Sequence, residues 1–547
     1  MKKIVICWGL GVFLLGCFVG VKTTVATETQ PQDIELEIGI LQRLGGDPLD
    51  DKDPKIDRVA IDSTAGDYLT VSFGENSTPI ETKQVVLEVE SQSLDRPKLV
   101  EKLILSDRST FETAEASANS WKKLGIEVEI TQPGRWQVWA KRDVYSTPLV
   151  RRWLLHSLQA NGYDEAYLAT EVLREKPTIT VEIDGKEYKN QDRLQIDTGK
   201  NLVRVNTTDK PQEARLYGGN LELQPNAYGE FTLVNNVPLE TYLRGVVPYE
   251  IGANAPRQAV EAQTIIARTY ALRNLRRFAT DDYQLCATVH CQVYKGLTGT
   301  NATSDRAIAT TRGLVVTYEN ELVDALYSST TGGITASFED IWNGAERPYL
   351  RPRIDSTQPI WDLAKYPLAS ERLFKEFIRR QQGFNEAGRS VFRWSKTRKI
   401  ADLNSDLRRY LRKTRHPLAD FTAIEKMQVH KRSRSGRIIT LTVQTDKGKL
   451  QLHKNEVRSA FEPPRSTLFY LEPVYDKTDT LQAYKFIGGG FGHGVGLSQY
   501  GSYNLAKLGW SAAQILAFYY PQTKIQPLNK SIVFWQEPNL ANVSSTK

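Results

Sequence analysis

From Phe111 to Leu124 the apolar residues Phe111, Ala114, Ala118, Trp121 and Leu124 recur every three or four positions, one face of a helix that Gly125 ends. Ser109 and Glu112, three apart just ahead of this run, have the spacing of a capping box. Val85 to Val89 before the helix is strand-like, Ile126 to Ile130 after it alternates with the period of a strand, and Trp136 to Trp139 reads as another. Thr147-Pro148 opens a second helix with Leu149, Val150, Trp153, Leu154 and Leu158 at its apolar positions, closed by Asn161-Gly162. A last strand falls at 166–168 or at 179–181. This order predicts a small ferredoxin-like βαββαβ domain over 83–178.

Further on, Leu221 to Gln224 and Phe231 to Val234 flank Pro225 to Gly229 as a hairpin. The hairpin delivers the chain into VPLETYLRGVVPYEIGANAPRQAVEAQTIIARTY, residues 237–270. Two Val-Pro pairs bracket a short amphipathic segment, Glu250 follows on an expected loop, and Pro256 opens a long helix whose stripe is Ala259, Ala262, Ile266 and Tyr270. Val315 to Tyr318 and Leu322 to Tyr327 predict a hairpin across Glu319-Asn320. Helices are expected at 372–382 and 403–413, and strands at 438–443 and 450–453. The fold class is α+β: a strand-rich core with one long helix over 179–540, interrupted by a divergent region at 351–481. Residues 27–82, polar and mixed, read as a tether with one short element at 34–41.

A chain of 547 residues with 40% hydrophobic content can bury more than one core. The net charge of +7 suits an anionic wall or membrane surface. No nucleic-acid partner is expected, since the basic run from Lys431 to Arg437 reads as a solvated hairpin tip. Lys2 and Lys3, an apolar run from Ile4 to Val21 and small residues up to Ala26 have the order of an export signal. Residues 1–26 are thus a signal peptide, or an uncleaved anchor that would be the chain's sole contact with a membrane. The protein is expected in the periplasm or cell wall. Cys7 and Cys17 lie inside that segment, which leaves Cys286 and Cys291 for the mature chain.

The chemistry concentrates in a few stretches. Glu250 precedes a helix, and on spacing alone it would merely complement the helix dipole. Cys286, His290 and Cys291 combine soft sulfur with imidazole, the donors zinc favours. Zinc fixing the loop, a disulfide and reduced thiols all remain open for this cluster. Gly488 to Gly501 lacks the lysine and hydroxyl of a phosphate cradle, so it reads as a tight turn presenting His493, Ser498 and Gln499 to a groove. Ser328 and Ser329 lack the surroundings of a nucleophile elbow and are read as hydrogen-bonding groups along that groove. Arg268, Tyr270, Gln292 and Tyr294 are candidates for orienting substrate. Glu240 reads as a capping or salt-bridging residue.

VPLETYLRGVVPYE, EAQTIIARTY, CATVHCQVY, YSSTTGG, PYL and GGGFGHGVGLSQYG, in this order from about Leu221 to Pro521, resemble the SpoIID/LytB family of peptidoglycan-processing proteins. The resemblance implies a lytic transglycosylase cutting between N-acetylmuramic acid and N-acetylglucosamine, with Glu250 as general acid/base. It leaves as the alternative a non-catalytic, peptidoglycan-binding activator of a cell-wall amidase. Some members bind zinc at the cysteine cluster with a further upstream histidine, and this chain has none between Ile179 and Val289. FETAEASANSWKKLGIEVEI and GRWQVWAKR resemble the SPOR domain, which implies a glycan-binding module in which Trp136 or Trp139 could stack on a sugar.

Overall fold

The computed structural model describes residues 33–48, 54–74, 77–208 and 210–536. The export segment expected at 1–26 lies outside the described residues. Among the described residues no helix is long and apolar enough to cross a membrane.

The chain begins with β1 (Glu35–Leu44), β2 (Arg58–Ser63), β3 (Leu69–Ser72), β4 (Ile80–Thr82) and β5 (Gln84–Arg108). Then come α1 (Phe111–Lys123), β6 (Val128–Thr131), β7 (Trp136–Ala140), α2 (Pro148–Ala160) and β8 (Tyr167–Ile183). Five strands follow: β9 (Lys186–Gln191), β10 (Leu194–Thr198), β11 (Leu202–Asn206), β12 (Arg215–Gly218) and β13 (Asn220–Pro225). They lead into β14 (Phe231–Pro238), α3 (Leu239–Ile251), α4 (Arg257–Arg273) and β15 (Leu285–Cys286). The class is α+β.

Two sheets organise this half. One runs β15-β1-β14-β13-β10-β3-β4. The other runs β12-β11-β2-β5-β7-β6, with β8 alongside β5 and β9 alongside β8. The expected βαββαβ order is present, with β8-β5-β7-β6 antiparallel throughout. Its first and last strands, however, extend far enough to join β2 and β9, which ties this unit into the larger sheet. The tether expected up to residue 82 is corrected. Leu36, Ile38, Val59, Ile61, Leu69 and Val71 are fully buried, because alternating apolar residues in β1, β2 and β3 complete the two sheets.

Local signals located most ends. Thr147 caps α2 through the Val150 N–H and Asn161 ends it. The first helix is capped one residue later than expected, by Thr110 accepting from the Thr113 N–H. Its buried face is Phe111, Ala114, Ala118 and Trp121, while Leu124 reaches solvent. The apolar positions of α2 are another matter: Trp153 is 67% exposed, and only Leu158 is buried.

The βαββαβ unit docks against the end of α4. Arg276 forks Glu115 at 2.7 and 3.0 Å, Arg277 pairs with Glu112, and the Trp136 and Phe278 rings lie 5.2 Å apart. Trp136 and Trp139 are therefore core, not an open stacking platform. The region 351–481 builds its own cores around the helices Glu371–Arg379 and Ile400–Lys413 and two three-stranded sheets. The basic run inside it is corrected too. Arg432 binds Glu371, and fully buried Arg437 donates from Nη2 to the Thr331 and Ile334 carbonyls at 2.6 and 3.2 Å. This turn is a dowel into the core rather than a solvated tip.

Candidate functional site

Glu250 stands in the last turn of α3, not on a free loop. Leu239, Tyr242, Leu243, Val246 and Val247 bury one side of that helix, so its end points Glu250 away from the core. Gly252, with φ of 84°, then breaks the helix, a conformation that side chains with a Cβ resist. Bidentate Arg268, fully buried, holds Glu240 at 2.8 and 2.7 Å and staples α3 to α4. Arg268 therefore positions the helix pair rather than touching substrate. Glu240 is the salt-bridging residue expected.

The Glu250 carboxyl borders a cavity of about 610 Å³. Its Oε1 accepts from the Val293 N–H at 2.8 Å, and the Tyr327 hydroxyl also bonds to the carboxyl. Burial pushes its pKa above the ordinary carboxyl value, and these two hydrogen bonds only partly oppose the rise. Tyr270, Val293, Leu326, Tyr327 and Trp342 are among the apolar and aromatic side chains of the cavity wall. Val246 and Val247 are core, and Tyr249 faces outward. Glu112, the cavity's other carboxylate, is engaged by Arg277.

Most of the expected groove residues meet here. Ser328, Ser329, His493, Gln499 and Tyr270 line the cavity, and so do His290 and Cys291, which were expected as metal ligands. Among the described residues the buried Ser328 hydroxyl has no partner, which leaves it able to bond a ligand. Gln499 Nε2 donates to the Glu250 carbonyl at 2.7 Å, which ties the glycine-rich turn to the carboxyl-bearing helix. His493 accepts at Nδ1 from the Val495 N–H at 3.0 Å, and burial beside Arg458 and Arg437 holds its pKa down to about 3. It is a neutral, backbone-bound ring, tilted against Trp342 and not bonded to Glu250.

Three expected contacts lie behind the wall instead. Gln292 is buried between the Tyr242 and Tyr327 hydroxyls, at 3.3 and 3.2 Å. Tyr294 donates to Asn235 Oδ1 at 2.9 Å. Ser498 donates to Glu386 and caps the next helix by accepting from the Gly501 N–H. Glu386 also accepts from the Gly332 and Gly333 N–H groups at 2.9 and 3.0 Å, so one buried carboxylate shapes both the serine loop and the glycine turn. Nothing in the local sequence around Glu386 signals this.

The cysteine cluster is resolved by its sulfurs. Cys286 and Cys291 form a disulfide, with Cα atoms 5.7 Å apart. Among the described residues no three metal-ligating side chains gather there or elsewhere. A disulfide leaves no thiolate to bind a metal, so the donor set does not fit zinc, and the zinc expectation is corrected. The bridge closes a loop of six residues directly ahead of Val293, whose amide holds Glu250. Chain-entropy arguments give such a loop about 2 kcal/mol. Reduction of the protein should accordingly lower its denaturation midpoint, and Cys286→Ser/Cys291→Ser should be insensitive to reductant. An unchanged midpoint in the reduced wild type would contradict this.

The walls missed by sequence reading come from far away in the chain. Ser109, Thr110, Phe111 and Glu112 arrive from the start of α1, and Trp342, Asn455, Arg458, Ser459 and Phe491 from the second half. Only the docking of three regions brings them together.

Residues 227–318 match the family described as Stage II sporulation protein, SpoIID, and residues 336–496 match a domain of unknown function, DUF8618. The chain is 28% identical over 303 residues to the amidase enhancer of Bacillus subtilis (strain 168), a match covering 52% of this chain and 40% of that protein. It therefore spans well under half the length of that relative. It is 28% identical over 313 residues to the stage II sporulation protein D of the same organism, covering 53% of this chain and 75% of that protein. The corresponding protein of Bacillus amyloliquefaciens is 28% identical over 310 residues. The cavity lies where the two matched segments face each other, with Glu250 on the first and Arg458 and His493 on the second.

Proposed function

We propose that this chain, a member of the SpoIID family with a cell-wall-related role, is an exported lytic transglycosylase that cuts the bond between N-acetylmuramic acid and N-acetylglucosamine in glycan strands. The observation that carries the reading is Glu250: a carboxyl of raised pKa at the edge of a cavity, hydrogen-bonded by Val293 and Tyr327. Ordinary glycosidases divide acid and nucleophile or base between two carboxylates. Here the other cavity carboxylate is tied up by Arg277, and a single acid/base suits an intramolecular displacement. Protonated Glu250 gives its proton to the leaving glycosidic oxygen. The muramyl 6-hydroxyl oxygen then attacks the anomeric carbon, and Glu250 takes the hydroxyl proton back. No water enters, and the product ends in a 1,6-anhydro ring. Ser328, whose hydroxyl lines the cavity, supports the reading by offering the strand a hydrogen bond, and the N-terminal βαββαβ unit borders the groove through Ser109, Thr110 and Glu112. The test is whether purified protein alone shortens purified glycan strands.

The raised pKa sets a further expectation. A carboxyl that binds its proton more tightly folded than unfolded costs stability as pH rises above the ordinary carboxyl range, about 4.3. Glu250→Gln cannot ionise. Its stability advantage over wild type should therefore appear above that pH, grow with pH, and level off past the raised pKa. Melting curves across pH check this, and parallel profiles for the two proteins would refute it.

The second reading, a non-catalytic activator of a cell-wall amidase, draws on the name of the amidase enhancer relative. It predicts that glycan strands stay intact while an added amidase releases stem peptides faster.

A further inference from the structure

Arg458 lies on the short helix Glu456–Ala460, on the cavity wall contributed by the second matched segment. Its guanidinium has no carboxylate partner among the described residues. Nη1 donates to Asn455 Oδ1 at 3.3 Å, and Nε is buried with nothing to bond. The cavity's other arginine, Arg277, is offset by Glu112, and nearby Arg437 is bonded to backbone carbonyls. His493, between them, is neutral. Burial alone disfavours the charged form of Arg458, with no compensating anion. A guanidinium left uncompensated in a cavity suits a ligand that brings the charge, and its planar fork matches a carboxylate.

We propose that Arg458, with Asn455 and Ser459 beside it, forms an anion subsite that receives a carboxylate of the bound glycan strand. Two sources share this chemistry: the lactyl carboxylate of a muramyl sugar whose stem peptide has been removed, and a carboxylate of the stem peptide itself. The inference rests on the cavity being a glycan groove, but it concerns binding rather than cleavage. Such a subsite would let the protein distinguish wall glycan from an uncharged amino-sugar polymer. A single charged fork is expected to change affinity by about tenfold to a hundredfold.

The test is calorimetric titration of the full chain carrying Glu250→Gln, so that strands persist. Three ligands are compared: strands free of stem peptides, strands with intact peptides, and chitooligosaccharides of equal length, which have no carboxylate. The expected result is tighter binding of a muramyl strand than of chitooligosaccharide, by tenfold or more. Adding Arg458→Gln should abolish that preference while leaving chitooligosaccharide affinity unchanged, which also reports an intact fold. Arg458→Lys should keep part of it. A preference for peptide-free strands assigns the lactyl carboxylate, and one confined to intact strands assigns the stem peptide. No preference in the Arg458-containing protein, or equal losses for all three ligands on Arg458→Gln, would overturn the subsite. Cleavage by wild type without any such preference removes the subsite alone. A preference without cleavage removes only the transglycosylase reading.

Discussion

Glu250→Gln is expected to lower strand cleavage by about 10²–10⁴-fold, the usual contribution of a positioned acid/base, with little change in strand affinity. Glutamine can still accept the Val293 N–H and fill the same space, so the helix end and the groove keep their shape. What it cannot do is release a proton to a leaving oxygen and take one back. The loss should therefore fall on turnover rather than on binding. Wild-type cleavage should also decline as pH rises through the raised pKa of Glu250, because the carboxyl must begin the cycle protonated. A variant that retained full activity would mean that the proton comes from elsewhere.

Arg268→Met should be the most destabilising single change considered, at about 3–5 kcal/mol, because it strands the Glu240 carboxylate in the core. Arg268 is fully buried, forks both oxygens of Glu240, and donates from Nη1 to the Leu314 carbonyl at 3.1 Å. The pair joins the start of the helix that carries Glu250 to the long helix behind it. Replacing both partners, Glu240→Leu with Arg268→Met, should recover a substantial part of the loss, since an apolar pair leaves no buried charge. Denaturant titration of the three variants checks this. If the double variant were as unstable as the single one, the pair would be contributing more than mutual neutralisation.

The difference between Glu250 and Arg268 shows what the residue order could convey. Periodicity located α1, α2 and α4, the hairpin of β13 and β14, and the helices of the second half to within a few residues, because each is a local pattern. Motif resemblance singled out Glu250 and most of its neighbours. It could not distinguish residues that line the cavity from those one layer behind it. Arg268, Gln292, Tyr294 and Ser498 stand beside groove residues in sequence, yet each is spent on a buried partner. The tether failed as a reading because β1, β2 and β3 each pair with a strand from far along the chain, between residues 194 and 238. Glu112, Trp342 and Arg458 were invisible as site residues for the same reason. Each reaches the cavity only after three sequence-distant regions dock.

The most direct test of the central claim is digestion of peptide-free glycan strands in ¹⁸O-labelled water, with the ends read by mass spectrometry. A single carboxyl shuttling the proton of an internal hydroxyl predicts unlabelled fragments ending in 1,6-anhydro sugars from the wild type, and almost none from Glu250→Gln. Labelled reducing ends, or undiminished anhydro product from the variant, would contradict it.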